Sequence, residues 1–175
     1  WRQHMREWLP PRSRIELTEG PMTITHQDNE PHPAYLKLDA EPLGLPAKRL
    51  VDFEHELSLV DSCLASTPSG LAVRLIWFAG EVPPVNYTAF LHVEREGAII
   101  AQDDREPGLG YYPMTAWRPG DQLVDERVLA VDGVKPGDRI YTGLYVYATG
   151  ERVPVLDTAL PVEDDRVELE ITNCR

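Results

Sequence analysis

Hydrophobic and polar residues alternate in short runs along the chain from about residue 51 onward. The runs are rich in β-branched and aromatic residues, and turn signals separate them about every 8 to 12 residues, a rhythm that predicts an all-β fold. We expect about eight strands, at residues 54–62, 71–78, 86–94, 97–103, 121–130, 139–147, 152–156 and 166–172. Short turns at residues 95–97 and at Gly150 predict two hairpins.

Strands without helical segments between them favour either two packed sheets or a barrel. The long connection between residues 103 and 121 favours an antiparallel, two-sheet β-sandwich of jelly-roll-like type over a simple meander. Because half of each strand then faces inward, we expect the aromatic side chains of Trp77, Phe90, Tyr141 and Tyr145 to serve mainly in packing.

The start of the chain has a different pattern. Trp1, Met5 and Trp8 follow a helical spacing, which predicts a short helix over the first nine residues. Pro10 and Pro11 end this helix, because proline cannot continue its hydrogen bonding.

A connector rich in proline follows the predicted helix. Its residues, 10–50, include seven prolines and few long apolar runs, which is typical of an extended segment. The connector also offers short stretches that add strands to the fold, at 14–18, 22–26 or 34–38. We therefore divide the chain into an N-terminal helix with its connector, residues 1–50, and a β-sandwich domain, residues 51–175.

Composition and charge exclude several classes of function. The 175 residues include 17 Lys and Arg against 29 Asp and Glu, a net charge of −12, and the acidic residues are scattered. This argues against a nucleic-acid partner. We expect no metal or other cofactor, since no calcium-binding loop motif is present. No run of about 18 apolar residues could span a bilayer, and the start at Trp1 suggests a piece of a longer protein.

The two cysteines are too far apart in sequence for a metal or redox motif. Cys63 lies at the end of the first predicted core strand, and Cys174 lies at the end of the last. They form either one disulfide or two unrelated thiols. A disulfide would close a loop of about 110 residues and contribute on the order of 4 kcal/mol, and it would fit an oxidising compartment.

An ordered string of motifs occupies residues 85–156: NYTAFLHV, AQDD, YYPMTAWRPGD and KPGDRIYTGLYVYATGERVPV. This string resembles the soluble β-sandwich domain that follows the last transmembrane helix in many bacterial polytopic glycosyltransferases of the dolichyl-phosphate-mannose mannosyltransferase type. Met114 stands where that family commonly has Thr, Val153 replaces a Leu, and residues 138–141 lengthen one motif by a residue.

The resemblance implies an accessory domain at the extracytoplasmic face of the cell membrane. Such enzymes use acidic residues of their membrane part for catalysis, so we expect this domain to be non-catalytic. Its expected partners are carbohydrate or a lipid-linked sugar and the membrane portion of its own protein. The predicted helix would then place Trp1 and Trp8 near the membrane interface; an ordinary helix docked on the sandwich explains the same pattern.

The segment from Gln102 to Trp117 is the best candidate for a ligand-binding surface, because sugars are held by aromatic faces together with amide, carboxylate and guanidinium groups. The candidate residues are Gln102, Asp103, Asp104, Arg105, Tyr111, Tyr112 and Trp117. A structural interpretation also fits this segment, with Trp117 plugging the end of the sandwich while Pro113 and Pro119-Gly120 shape the turn.

Two other classes of function remain open. One is a glycan-active enzyme with two carboxyl groups about 5 to 9 Å apart in a cleft, drawn from Asp103, Asp104, Glu106, Asp125 and Glu126. The other is a purely structural module that contacts a partner protein. We also expect His92 to face Asp103 or Asp104 across a hairpin as a structural histidine, and Arg152 to pair with a carboxylate such as Asp125.

Overall fold

A computed structural model of the chain describes residues 13–17, 23–25, 31–33, 37–42, 48–68 and 70–172. Among the described residues the strands are, in chain order, β1 Ser13–Leu17, β2 Thr23–Thr25, β3 Pro31–Pro33, β4 Lys37–Pro42, β5 Val51–Phe53, β6 Leu57–Thr67, β7 Gly70–Ala79, β8 Thr88–Arg95, β9 Ala98–Arg105, β10 Gln122–Leu129, β11 Arg139–Tyr145, β12 Val155–Thr158, β13 Val162–Glu163 and β14 Arg166–Leu169. Short 3-10 turns occur at Pro107–Gly110 and Met114–Ala116.

The strands form two sheets that pack face to face, which confirms the prediction of an all-β sandwich. One sheet has the order β12-β5-β6-β7-β10 and continues beyond β10 into β1 and β4; the second has the order β13-β14-β11-β8-β9. From β9 to β13 every connection crosses from one sheet to the other, as expected for a jelly-roll-like arrangement. All pairings among β5 to β14 are antiparallel.

Alternation along the strands explains where the core lies. On β8, Ala89, Leu91 and Val93 belong to the buried hydrophobic cluster between the sheets. Phe90 and His92 alternate with them and therefore face outward, because successive side chains of a strand point to opposite faces. Trp77, Leu75 and Val73 contribute to the same core from β7.

Two of the stretches expected to add strands in the connector are present as β1 and β2, whereas 34–38 overlaps β4 only at Lys37 and Leu38. β1 pairs with β10 in parallel and with β4 in the antiparallel direction, so the connector extends a sheet of the sandwich. β2 and β3 form a separate antiparallel pair. The predicted helix over residues 1–9 lies outside the described residues. In the part of the chain that the structure describes, no helix has the length and hydropathy needed to cross a bilayer.

Tight turns connect several of the strands. The hairpin predicted at residues 95–97 is confirmed as β8-β9, whose turn places Glu96 at φ 52° and Gly97 at φ 79°. The turn at Gly150, with φ 72°, is also present. Its second arm, however, is a single bridge between Tyr145 and Arg152 instead of the predicted strand at 152–156.

Candidate functional site

Tyr112 and Trp117, in the connection between β9 and β10, are buried. Tyr112 and Trp117 belong to the hydrophobic core, and their rings stack with centroids 6.5 Å apart. The Trp117 Nε1 donates a hydrogen bond of 2.8 Å to the Tyr112 carbonyl oxygen, and the Tyr112 hydroxyl lies 2.8 Å from Asp121 Oδ2. Burial, and secondly the Asp121 carboxylate, raise the pKa of the Tyr112 hydroxyl. Neither ring offers a face to a ligand.

Hydrogen bonds from backbone amides hold the turn that follows Trp117. The Arg118 amide donates to Asp121 Oδ2 at 2.8 Å, and the Gly120 amide donates to the Ala79 carbonyl oxygen at 2.7 Å. Gly120 has φ 92°, a conformation that favours glycine because it has no Cβ. The segment YYPMTAWRPGD is therefore held largely by its own hydrogen bonds, which agrees with the alternative in which Trp117 has a structural role.

Asp103 and Arg105 lie on the face of β9 that is turned toward β10. The Arg105 Nη2 donates to the Glu126 carbonyl oxygen at 2.7 Å, and its Nε lies 3.4 Å from Asp103 Oδ2. Arg127 Nη1 donates to the Asp103 carbonyl oxygen at 2.7 Å. These two predicted ligand-binding residues therefore connect β9, at the edge of the second sheet, to β10 in the first sheet.

A buried ion pair stands at the centre of this connection. Arg127 donates from Nε and Nη2 to Asp125 Oδ2, at 2.9 and 2.6 Å, and the other Asp125 oxygen accepts the Gly108 amide at 3.2 Å. Arg127 also donates to the Ala89 carbonyl oxygen at 2.9 Å. The predicted pairing of Arg152 with Asp125 is wrong, because Asp125 lies inside the sandwich and Arg127 occupies it.

Gln102 and Asp104 alternate with Asp103 and lie on the opposite, outer face of β9. The β8-β9 register sets Gln102 opposite His92 and Asp104 opposite Phe90. His92 Nε2 lies 2.9 Å from Asp104 Oδ1, which is the contact expected for a structural histidine. These side chains meet because cross-strand partners share one face of a sheet.

β11 adds Tyr145 to this group from the other side of β8. The Tyr145 hydroxyl lies 3.4 Å from Asp104 Oδ2, so both carboxylate oxygens have a partner. Burial raises the pKa of Tyr145, and Asp104 raises it further. The Phe90 ring contacts both aromatic neighbours, with its centroid 4.9 Å from that of the His92 ring and 6.3 Å from that of the Tyr145 ring. We call His92, Gln102, Asp104 and Tyr145 the β8-β9-β11 cluster.

Arg152 lies beside the β8-β9-β11 cluster, with its guanidinium carbon 5.7 Å from the centroid of the Phe90 ring. The Arg152 guanidinium group donates hydrogen bonds to the side-chain carboxylate of Asp164 and to its main-chain carbonyl oxygen. Asp164 and Asp165 form the turn between β13 and β14, and both have φ 53°. This backbone conformation is uncommon for residues other than glycine, and the contact with Arg152 stabilises the turn.

The other end of the same sheet face is covered by charged side chains. Tyr141 is buried although it points outward, because the guanidinium groups of Arg139 and Arg166 lie 4.8 and 4.3 Å from its ring centroid. Arg139 binds Glu168 at 2.8 Å, and Arg166 binds Glu94 at 2.5 Å. This end is therefore closed to a ligand by paired charges.

Two exposed tyrosines remain near the predicted segment and the cluster. Tyr111 is 42% exposed and belongs to the predicted ligand-binding loop. Tyr147 is 81% exposed and follows Tyr145 by two residues. It is close enough to contribute to the raised pKa of the Tyr145 hydroxyl.

The carboxylates proposed for a catalytic pair are largely occupied. Asp104 binds His92, Asp125 binds Arg127, and Asp103 and Glu126 have arginine partners at 3.4 and 3.9 Å. A surface hollow does occur elsewhere, and it is lined by Leu50, Asp61, Ser62, Leu160, Glu170 and Thr172. No group of three or more His, Cys, Asp or Glu side chains within the described ranges could hold a metal ion.

The predicted disulfide is described at one of its ends. The Cys63 sulfur lies 3.8 Å from the Thr172 carbonyl oxygen, and the Thr172 hydroxyl donates to the Ser62 carbonyl oxygen at 3.5 Å. The last described residues therefore lie beside β6 at Cys63. Cys174 is outside the described residues, so its pairing with Cys63 stays a prediction.

The structure thus divides the predicted ligand-binding residues among separate places. Gln102 and Asp104 face outward, Asp103 and Arg105 join the two sheets, Tyr111 is exposed, and Tyr112 and Trp117 are core residues. Tyr145 and Tyr147 were not among the predicted site residues. Tyr147 follows Tyr145 by two residues in GLYVY and lies in the turn beyond the end of β11, and the contact of Tyr145 with Asp104 follows only from the strand register.

Comparisons with family models, with curated proteins and with solved structures found no match to this chain.

Proposed function

We propose that this chain is a non-catalytic, carbohydrate-binding accessory domain of a membrane glycosyltransferase, located on the extracytoplasmic face. The glycosyltransferase and its location come from the resemblance of residues 85–156, and the geometry of the acidic residues and of the second sheet supports the non-catalytic role and the ligand surface. The ligand is a carbohydrate or the sugar of a lipid-linked donor.

One observation carries the non-catalytic part of the proposal. A glycosidase needs one carboxyl group that can hold a proton and a second carboxylate opposite it. Here Asp125 and Asp104 are bound to a basic partner at 2.6 and 2.9 Å. Each of these carboxylates is therefore engaged by a neighbouring side chain of the fold. These acidic residues therefore stabilise the fold.

The outer face of the second sheet supports the binding part of the proposal. It combines exposed amide, carboxylate and tyrosine groups at the ends of β8, β9 and β11. Sugars are recognised by this kind of mixture, because hydroxyl groups need polar partners and the apolar sugar face needs an aromatic ring.

The experiment applies the purified chain to an array of neutral and anionic glycans, and incubates it with the same glycans in solution. We expect binding above background to neutral glycans, and no change in the glycans after long incubation. Binding to no glycan would overturn the binding function. If the chain cleaves or transfers a glycan and the Asp104→Asn variant lacks this activity, the non-catalytic role would be overturned and the alternative of a glycan-active enzyme supported.

A further inference from the structure

We infer that the β8-β9-β11 cluster, together with the exposed ring of Tyr147, is the site that binds a neutral saccharide. This inference rests on the proposed function, and it moves the site from the predicted loop to the outer face of the second sheet. In this site Tyr147 provides a stacking surface, while Gln102 and Asp104 bind sugar hydroxyl groups.

The polar groups of the site are fixed before any ligand arrives. Asp104 is held from two sides, by His92 Nε2 at 2.9 Å and by the Tyr145 hydroxyl at 3.4 Å. Its side chain is still 25% exposed. An ionised carboxylate can accept about four hydrogen bonds, so acceptor positions remain for sugar hydroxyl groups. A fixed partner lowers the entropy cost of binding.

Gln102 complements the carboxylate. It lies opposite His92 on the exposed edge strand β9, and its side chain is open to solvent. A primary amide both donates and accepts hydrogen bonds, which suits a hydroxyl group that does the same. Gln102 and Asp104 are two residues apart on one strand, so both side chains point to the same face.

The site rests on a closely packed part of the sheet. The Phe90 ring lies directly over Gly143, where a Cβ would come within 2.7 Å of two ring carbons. Beyond it, the turn that carries Tyr147 is fixed by amides of Thr149 and Gly150, which donate to the Val146 carbonyl oxygen at 3.1 and 2.8 Å. An exposed tyrosine on a hydrogen-bonded turn gives a large apolar surface at low entropy cost.

The charges around the site favour a neutral ligand over an anionic one. Arg152, Arg139 and Arg166 are the guanidinium groups of this face, and each is bound to a carboxylate. An anionic glycan would meet the Asp104 carboxylate and would have to displace one of these partners. A neutral saccharide requires neither.

The test measures binding of neutral oligosaccharides of glucose, mannose, galactose, xylose and N-acetylglucosamine by isothermal titration calorimetry. For the oligosaccharide that binds wild type most tightly, we expect Tyr147→Ala to raise the Kd at least about tenfold. Gln102→Ala should raise it about two- to tenfold, the effect of one hydrogen bond. Tyr147→Phe keeps the ring and should bind nearly as wild type.

Tyr111→Ala is the matched control, because it removes an exposed tyrosine from the predicted loop and leaves the sheet face unchanged. Circular dichroism confirms that each variant folds, which is expected since both tyrosines are exposed. If a saccharide binds but Tyr147→Ala and Gln102→Ala leave the Kd unchanged, the location is wrong and the binding function stands. If no saccharide binds wild type, the proposed function fails and this site fails with it.

Discussion

At the scale of single residues, the motifs in this chain mainly specify the fold. Trp117 and Tyr112 are core residues joined by a hydrogen bond, and Gly143 provides space for the Phe90 ring. In the sequence alone, the aromatic residues of this segment were consistent with a binding surface as well as with core packing, because the sequence does not show whether a tyrosine is buried or exposed. Burial of these side chains depends on neighbours that are distant in sequence.

Gly143→Ala tests the contact with Phe90. The added Cβ would lie 2.7 Å from the Phe90 ring and 2.9 Å from the Asp165 carbonyl oxygen. We expect a loss of about 1 to 3 kcal/mol in the free energy of unfolding, the usual cost of overpacking, measured by urea denaturation. Phe90→Leu removes the ring atoms concerned, so the Gly143→Ala and Phe90→Leu changes should be less than additive. Strict additivity would contradict the proposed contact.

At the scale of secondary-structure elements, the strands could be predicted from the sequence better than their pairing. Every strand expected after residue 51 has a counterpart, because alternation and turn residues are local signals. The strand expected at 152–156 begins at Val155 instead and pairs with β5, since Pro154 has no amide hydrogen to continue the ladder. The short strands β5 and β13 were missed because three and two residues show no periodicity.

The partners of charged residues could not be predicted, because they depend on register. Arg152 was expected to bind Asp125. The carboxylate that Arg152 reaches depends, however, on the position of its segment in the sheet and on the face to which its side chain points. Arg127 reaches Asp125 because both point inward on β10, two residues apart. The hairpin predicted that His92 faces Asp103 or Asp104, but a β-bulge between Val93 and Glu94 shifts the register and decides that Asp104 lies beside it.

The buried ion pair of Arg127 and Asp125 gives a prediction for the link between the sheets. Asp125→Ala leaves the buried guanidinium group without its carboxylate, so we expect a loss of about 3 to 5 kcal/mol in the free energy of unfolding. The double variant Asp125→Leu, Arg127→Met should lose much less, because the buried guanidinium group is removed together with its carboxylate. Guanidinium denaturation measures both. A double variant less stable than Asp125→Ala would contradict this account.

The turn between β10 and β11 predicts a dependence of stability on pH. Arg95 binds both oxygens of Asp138, at 2.8 and 2.7 Å. This hydrogen bonding, followed by that of the Lys135 amide, lowers the pKa of Asp138 from 3.8 to about 2. Since the folded pKa lies below the unfolded one, the contribution to stability is complete above 3.8 and is lost as pH falls toward about 2.

Asp138→Asn tests this dependence, because the amide cannot titrate. We expect the variant to be less stable than wild type at neutral pH, and the difference to shrink as the pH falls through the window from 3.8 to about 2. Urea denaturation at a series of pH values measures the two curves. Curves that stay parallel through this window would show that Asp138 has no lowered pKa.

At the scale of the whole molecule, the sandwich is closed by contacts between its first and last core segments. Ser62 and Cys63 on β6 contact Thr172 near the end of the described chain. This arrangement supports the predicted disulfide between Cys63 and Cys174, although a bridge that spans the domain cannot be deduced from two isolated cysteines.

Cys63→Ser tests the disulfide. A bridge that closes about 110 residues should contribute about 2 to 4 kcal/mol to the free energy of unfolding, through the restricted unfolded chain. We expect Cys63→Ser to lose this amount under oxidising conditions and to match wild type in a reducing agent. Peptide mapping without reduction should recover Cys63 linked to Cys174. Recovery of two free thiols from protein kept under oxidising conditions would contradict the pairing.

The binding face also belongs to the whole molecule, because β8, β9 and β11 meet only in the folded sheet. The most direct test is nuclear magnetic resonance of the ¹⁵N-labelled chain, titrated with the neutral oligosaccharide that it binds most tightly. We expect the amide shifts of His92, Gln102, Asp104, Tyr145 and Tyr147 to change together and saturate, while those of Tyr112 and Trp117 stay constant. Changes confined to residues 111–117 would contradict the account.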